Sequence, residues 1–395
     1  MSGLRQIVAV TLLNLRTIPQ RLGSSAVGIV GIAGVVVVLV AVLSMAEGFE
    51  AVLRDAGSPG RAIVMRSGST SEMTSGLLGS DVDVIRQAPG IRQDGSTALI
   101  SPELFVIIDL PKKSTGTTAN VPLRGIGQTS FAVHDQASIT AGRMLQFGTN
   151  EVVVGAGAAR QFAGLNVGDE IRTGEVTWKV VGAFESDGSV AETEIWCDAR
   201  FLQGAYRRGN TYQSVLATLD TPSSYDAFKD WLTANPQIKV QVQRENDYYA
   251  SQSQTLSTLI RTVGFAIAAL MAVGAIFGAI LTMYTAVATR VREIATLRAL
   301  GFNSGAVLIS ILAESLALAA IGGLAGGVLA YLGFNGYQTS TMNFQTFSQV
   351  AFAFRVTPRL LVLGLVWSLA MGLIGGLLPA VRAARLPISK ALREL

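Results

Sequence analysis

The sequence predicts a membrane protein of four transmembrane α-helices, with a large mixed α/β extracytoplasmic domain inserted between the first and second helices. Three observations predict it. The 395 residues are 50% hydrophobic and only 15% charged, where a soluble chain carries about 25% charged residues; the mean hydropathy is +0.44. The deficit is concentrated, because residues 22–46, 262–289 and 360–381 carry no charge and residues 299–354 are interrupted only by Glu314. Each run is long enough for the roughly 20 apolar residues that cross a bilayer as a helix. Finally, residues 47–261 have ordinary polarity and a net charge of −5, against +9 for the remainder. The sequence pI near 9.3 is thus the sum of an acidic domain and a basic membrane part, and gives no reason to expect nucleic acid.

The N-terminal segment, 1–21, holds Arg5, Arg16 and Arg21 without an acid. The first span, 22–46, ends in a small-residue pattern that loosely fits signal cleavage, but its uncharged run exceeds a usual signal core of about 7–15 residues. It is read as an uncleaved anchor. In domain 47–261, the runs "RAIVMR", "ELFVIIDL", "EVVVG", "TWKVVGAF", "SVLATLD" and "IKVQVQ" are expected strands, and "IRTGEVTWKVVG" a hairpin turning at Gly174. "SDVDVIRQA", with Ser80 as N-cap, and "SSYDAFKDWLTAN" are expected helices. From Asp247 a polar helix is expected to run directly into the second span, 262–286. A charged loop, 287–304, separates it from the third span, 305–333. An outer loop, 334–359, containing Arg355 and Arg359, precedes the fourth span, 360–381. The tail, 382–395, holds Arg382, Arg385, Lys390 and Arg393 against Glu394. The positive-inside rule places both termini and the 287–304 loop in the cytoplasm.

No catalytic constellation emerges. "GAGAAR" at Gly155–Arg160 lacks the third glycine of a dinucleotide fingerprint and reads as a strand-to-helix turn, and no G-x-x-x-x-G-K-[ST] phosphate loop occurs. His134 is the sole histidine, so a histidine metal site or a Ser-His-Asp triad has no partners; it is expected at the surface or in packing. The single Cys197 allows no internal disulfide and is expected to be a small buried residue. The spans carry small residues at helical spacing: Gly28, Gly31 and Gly34 in the first, Gly274 and Gly278 in the second, Gly322, Gly323, Gly326 and Gly327 in the third, and Gly372, Gly375 and Gly376 in the fourth. Such residues let helices approach closely, either within one bundle or across a dimer face. Glu314 is the one acid inside an apolar span. It is expected either to couple or handle protons, or, the preferred reading, to bond a neighbouring helix. In "TRVREIATLRALGF", 289–302, Val291, Ile294 and Leu297 form an apolar stripe suited to the bilayer surface. Glu293 is placed to pair with Arg290 at i, i+3; on composition alone the preferred reading is an interfacial turn whose arginines only enforce topology.

The stretch "TRVREIATLRALGFNSGAVLISILAESLALAAIGGLAGG" resembles the FtsX-like permease domain of the type VII ABC transporters, the MacB superfamily. Glu293, Ile294, Leu297, Arg298, Ala299, Gly301 and Glu314 match that family's pattern, while Thr289 and Ala295 replace its usual Glu and Gly. "GLLPAVRAARLPISKALRE" resembles the family's ending, and "AGRMLQFGTNEVVVGAGAARQFAGLNVGDEIRTGEVTWKVVGAFES" its periplasmic core domain. The resemblance implies a non-enzymatic permease subunit in a bacterial inner membrane, whose 287–304 coupling helix docks on a separate ABC ATPase dimer. Arg290, Arg292, Glu293, Ile294, Leu297, Arg298, Leu300 and Gly301 are the implied coupling residues, Arg298 and Glu293 foremost. The resemblance further implies that no cofactor is bound by this chain, with ATP and Mg expected on the ATPase. Implied partners are a second permease copy or a paralogue, membrane lipid, and, for an exporter, a periplasmic adaptor and outer-membrane duct. Export ranks first, lipoprotein release of the LolC/LolE kind second, and FtsX-like regulation of cell-wall hydrolases third.

Overall fold

The computed structural model of the protein describes residues 6–12, 22–54, 56–343 and 348–387. Arg5, Arg16 and Arg21, and Lys390, Arg393 and Glu394 of the tail, lie outside the described residues. The chain divides into two units, residues 1–47, 258–337 and 354–395 in one, and residues 48–257 and 338–353 in the other.

The first unit is helical. The chain's long helices are α1 (Leu22–Arg54), α2 (Glu245–Ala288), α4 (Ser304–Phe334) and α5 (Pro358–Ala384), with the short α3 (Val291–Ala299) between α2 and α4. The four long ones are apolar enough to cross a membrane. Their ends follow local chemistry. The Asn303 side chain accepts from the Gly305 N–H at the start of α4, and Thr357 does the same for Leu360 at the start of α5, with Pro358 following. α2 is one unbroken helix of 44 residues. Gly264 lies where a Cβ would meet the Val42 side chain at 2.5 Å, so only glycine lets α1 and α2 approach there.

The glycine stripes separate into two classes. A Cβ at Gly322 or Gly326 would press on the backbone carbonyls of Ile29 (2.9 Å) and Ala33 (2.6 Å), and one at Gly323 on Ser368. These glycines, with Gly372, Gly375 and Gly376, close the packing of α1, α2, α4 and α5 upon each other. The Ser315 hydroxyl cements one crossing by donating to the Gly372 carbonyl at 2.6 Å. Gly327 makes only ordinary contact with Leu361, Gly28 only with Thr282, and Gly31, Gly34, Gly274 and Gly278 face open space.

The second unit is built on a ten-stranded mixed sheet. Its strands are β1 (Arg61–Arg66), β2 (Ile100–Pro111), β3 (Thr118–Ile126), β4 (Ser138–Gly142), β5 (Glu151–Gly155), β6 (Glu170–Thr173), β7 (Val176–Glu185), β8 (Ile195–Asp198), β9 (Ser214–Thr218) and β10 (Val240–Arg244). The spatial order is β10-β1-β9-β2-β3-β8-β5-β7-β4, with β6 paired to β7. The contacts β3–β8 and β5–β7 are parallel and the rest antiparallel. One apolar core lies under β1, β9 and β10 with helix Tyr225–Ala234; a second lies under β2, β3, β5, β7 and β8. The six expected strand runs and both expected helices are present, and Gly174, at φ 61, turns the β6–β7 hairpin. The first of those helices begins two residues earlier than expected. Its N-cap is Leu78, whose N–H donates to Asp81, so Ser80 is already inside it. Within the expected outer loop, residues 338–342 and 349–353 pair as an antiparallel hairpin. It rests on the sheet unit: Gln161 donates to Ser340 at 2.7 Å, and Phe352 packs edge-on to Phe49.

Candidate functional site

In the helical unit, the α2–α3–α4 corner gathers the residues of the charged loop. Val291 and Leu297 are half-buried and Ile294 is buried among Met283, Val287, Val307 and Ile311. The apolar stripe therefore packs on the ends of α2 and α4. α3 closes with two bonds, Gly301 N–H to the Arg298 carbonyl and Phe302 N–H to the Leu297 carbonyl. Gly301 sits at φ 93, the left-handed helix end that glycine takes without steric cost. That turn leaves Leu300 at the tip, 72% exposed. Arg292, Glu293 and Thr296 are exposed with it.

The arginines have distinct fates. Arg290 does not pair with Glu293, as i, i+3 spacing suggested. Its Nη1 lies 3.0 Å from Glu314 Oε2, and both side chains are only 5% exposed. The long-range partner wins because a buried carboxylate on α4 needs a cation far more than an exposed one does. Glu314 lies about 15 Å along α4 from its first residue, so this pair ties the root of α3 to the body of a span. Arg298 is half-buried and donates to the Leu386 carbonyl beyond α5. Arg292 is the arginine of α3 left exposed.

The sheet unit holds a polar centre that the sequence motifs missed. Arg124 on β3 lies opposite Phe105 of β2 and Trp196 of β8. Period-two alternation turns Leu123 and Gly125 to one face and Arg124 to the other. There all five guanidinium N–H groups are taken by carboxylates. Nε and Nη2 meet Glu194 at 2.6 and 2.7 Å, Nη1 and Nη2 meet Glu72 at 2.8 and 3.2 Å, and Nη1 meets Glu103 at 2.6 Å. Ser214 donates to Glu72, Ser101 to Glu103 and the Trp196 indole to Glu194. His134, expected at the surface or in packing, lies with Nε2 2.7 Å from Glu103 and is nearly buried. Cys197 is fully buried, as its composition-based reading had it, and burial pushes its thiol well above the ordinary value. The signal for the centre was a charge inside an apolar strand: Arg124 in "NVPLRGI" and Glu103 in "SPELFVII".

Burial alone would push the Glu103 carboxyl up. The charges of His134 and Arg124, with hydrogen bonds from His134 and Ser101, outweigh it and hold the group at about 2, against an ordinary 4.5. A depressed folded-state value contributes stability that is present above the unfolded value and lost as pH falls towards the folded one. The thermal midpoint of the full chain is thus expected to fall between pH 4.5 and 2, and Glu103→Gln to flatten that slope. An unchanged slope in Glu103→Gln would remove Glu103 as its source. Arg124 is pushed down by burial and raised, well above its ordinary value, by Glu194, Glu72 and Glu103. It is a permanent cation.

The described residues contain no His/Cys/Asp/Glu cluster able to hold a metal. Among the described residues the spaces beside Arg124 measure about 10 and 20 Å³, room for about one water each.

Residues 25–235 match the MacB-like periplasmic core domain, and residues 265–388 match the FtsX-like permease C-terminal domain. The chain belongs to the MacB family of FtsX-like permeases. It is 26% identical to the macrolide export ATP-binding/permease protein MacB 1/2 of Paracoccus denitrificans over 421 residues, covering 99% of this chain and 59% of that one. It is 37% identical over 111 residues to an uncharacterized ABC transporter permease, YvrN, of Bacillus subtilis, covering 28% of this chain and 25% of that one. The crystal structure of the periplasmic region of MacB from Actinobacillus actinomycetemcomitans is similar at 15% identity, a TM-score of 0.37, and coverage of 49% of this chain and 92% of that one. The chain spans about three fifths of the length of the MacB relative from Paracoccus. As a MacB-family permease it is a multi-pass membrane protein, with α1 preceding the α/β domain and three further spans following it.

Proposed function

We propose that this chain is the permease part of an ATP-driven exporter, and that the exposed side of α3 receives an ABC ATPase on the cytoplasmic face. ATP and magnesium belong to that ATPase. The observation that carries the proposal is the division of labour within α3. Its root and far end are fastened inward through Arg290–Glu314 and Arg298–Leu386, while Arg292, Glu293, Thr296 and Leu300 are presented outward. A helix fastened at both ends transmits a push where a loose loop would absorb it. The arginine bias of the loops supports the cytoplasmic placement. Export is favoured by the MacB relatives, which are macrolide export ATP-binding/permease proteins. A second permease copy is read onto α2, the least buried of the four spans. There Gly274 and Gly278 lie open between the exposed Leu270, Phe277 and Leu281, a small-xxx-small groove for another helix.

The test is co-purification of the tagged protein from its own host in mild detergent. Arg292→Glu and Leu300→Asp are exposed changes with little expected effect on folding. Each is expected to lower ATPase recovery about tenfold or more, the loss for an interface anchor. Undiminished recovery in both variants would move the docking surface elsewhere.

A further inference from the structure

In the sheet unit, the short helix Ala199–Ala205 and the turn after it carry two residues that run against local preference. Gly204 stands inside the helix, where alanine is the more stable choice. A Cβ there would meet nothing within 4 Å, so packing does not require the glycine. Arg207 shows the opposite anomaly. The Arg208 N–H donates to the Gln203 carbonyl at 2.8 Å and the Arg207 N–H to the Gly204 carbonyl at 3.2 Å. In this paired closure of a helix end, the position held here by Arg207 turns left-handed and is usually glycine. Arg207 makes the turn at φ 52. A long side chain kept there against its backbone preference is kept for what it can reach.

Both residues line one wide-mouthed hollow of about 660 Å³, with Arg200, Gln203, Asn210 and Tyr212. That volume lies inside the range of about 300–1,000 Å³ typical of ligand sites. Arg200, Gln203, Gly204 and Arg207 fall at i, i+3, i+4 and i+7, the spacing of one helix side. Arg200 is exposed and forms no ion pair with any described residue. Arg207 meets only Glu175, at 3.7 Å with both side chains in water, an arrangement that holds a cation weakly. Gln203 is buried and gives one amide hydrogen to the Thr211 carbonyl at 2.9 Å. Asn210 is fixed by Gly79, whose N–H donates to its carbonyl at 3.0 Å and whose missing Cβ leaves room for its amide.

Two guanidinium groups free of a strong internal acid suit a carboxylate or a phosphate. Carboxamides offer donor and acceptor together, which is what hydroxyl groups need. A lone phosphate would satisfy the arginines and leave the amides and most of the volume to water. We propose that the hollow binds a small hydroxylated anion, a sugar phosphate or a sugar acid, with its oxyanion held by Arg200 and Arg207 and its hydroxyls by Gln203 and Asn210. Gly204 keeps the floor beneath it clear.

The experiment is calorimetric titration of the full chain in detergent with glucose 6-phosphate, glucuronate, glucose and inorganic phosphate. No ATPase enters the readout, so its failure and that of the docking proposal are separate. Expected is saturable binding of the phosphate sugar, the acid sugar or both, with a dissociation constant of about 1 mM or tighter. Glucose should not bind, and inorganic phosphate should bind about tenfold more weakly. Arg200→Gln and Arg207→Gly should each weaken the sugar anion about tenfold, the loss of one hydrogen bond to a charged group. Lys229→Gln, on the exposed side of helix Tyr225–Ala234, should change nothing. Arg207→Gly should melt no lower than wild type, because glycine suits the left-handed turn; a structural arginine would instead lose stability. Gly204→Phe should abolish binding by filling the hollow, and Gly204→Leu serves if that variant does not fold. Neither sugar anion binding, or binding unmoved by both arginine changes, would overturn the proposal. Inorganic phosphate bound as tightly as the sugar anions would overturn the role given to the hydroxyls.

Discussion

Arg124→Met is expected to prevent the α/β domain from folding stably. The substitution keeps most of the side chain's volume and removes the cation, leaving Glu72, Glu103 and Glu194 buried around a thioether. Removing one partner from a buried pair costs about 3–5 kcal/mol, and here three carboxylates lose their shared partner at once. Against a total stability of about 5–15 kcal/mol for a domain, that is enough to unfold it. The readout is tryptophan fluorescence of the full chain, because Trp196 stacks on Phe184 with centroids 4.3 Å apart and donates to Glu194. Adding Glu72→Gln, Glu103→Gln and Glu194→Gln to Arg124→Met is expected to recover part of the folded signal, since the amides remove the repulsion. A melting temperature within about 2 °C of wild type for Arg124→Met alone would correspond to less than about 1 kcal/mol and would refute the central role given to this arginine.

Much of this architecture was legible because it follows from patterns that are local in the chain. Apolar runs between charges mark α1, α2, α4 and α5, and alternation with turn residues marks β1, β5 and β7. What stayed hidden depends on partners far away in sequence. Arg290 has Glu293 three residues ahead, and nothing local says that it turns instead to Glu314, 24 positions on. Arg298 matches a family pattern for coupling, yet it bonds a carbonyl 88 positions away. The G-x-x-x-G pairs in α2 and α4 are alike as text. Only the arrival of Ile29 and Ala33 against Gly322 and Gly326 distinguishes a filled groove from the open one at Gly274 and Gly278. The Arg124 centre is hidden most deeply. Its four charged members lie on separate segments, joined by β2–β3 and β3–β8 pairings that single-sequence periodicity does not specify.

The Arg290–Glu314 pair offers the sharpest separation of stability from coupling. Arg290→Leu or Glu314→Leu alone removes one member of an ion pair whose side chains are each 5% exposed in the structure. Either is expected to lower the melting temperature by on the order of 10 °C, from a loss of about 3–5 kcal/mol. The double variant removes both charges and supplies two apolar side chains, and replacing a buried pair in this way is often neutral or stabilising. Its melting temperature is therefore expected within a few degrees of wild type, a large favourable coupling in a double-mutant cycle. Folding would be restored without restoring the tie between the root of α3 and the interior of α4. If that tie conveys the push of an ATPase, the double variant should still recover the ATPase on co-purification, because the exposed side of α3 is intact, while transport driven by ATP is lost. A double variant that transports at the wild-type rate would reduce the pair to a structural ion pair. A double variant as unstable as either single one would mean that the site accepts no apolar replacement.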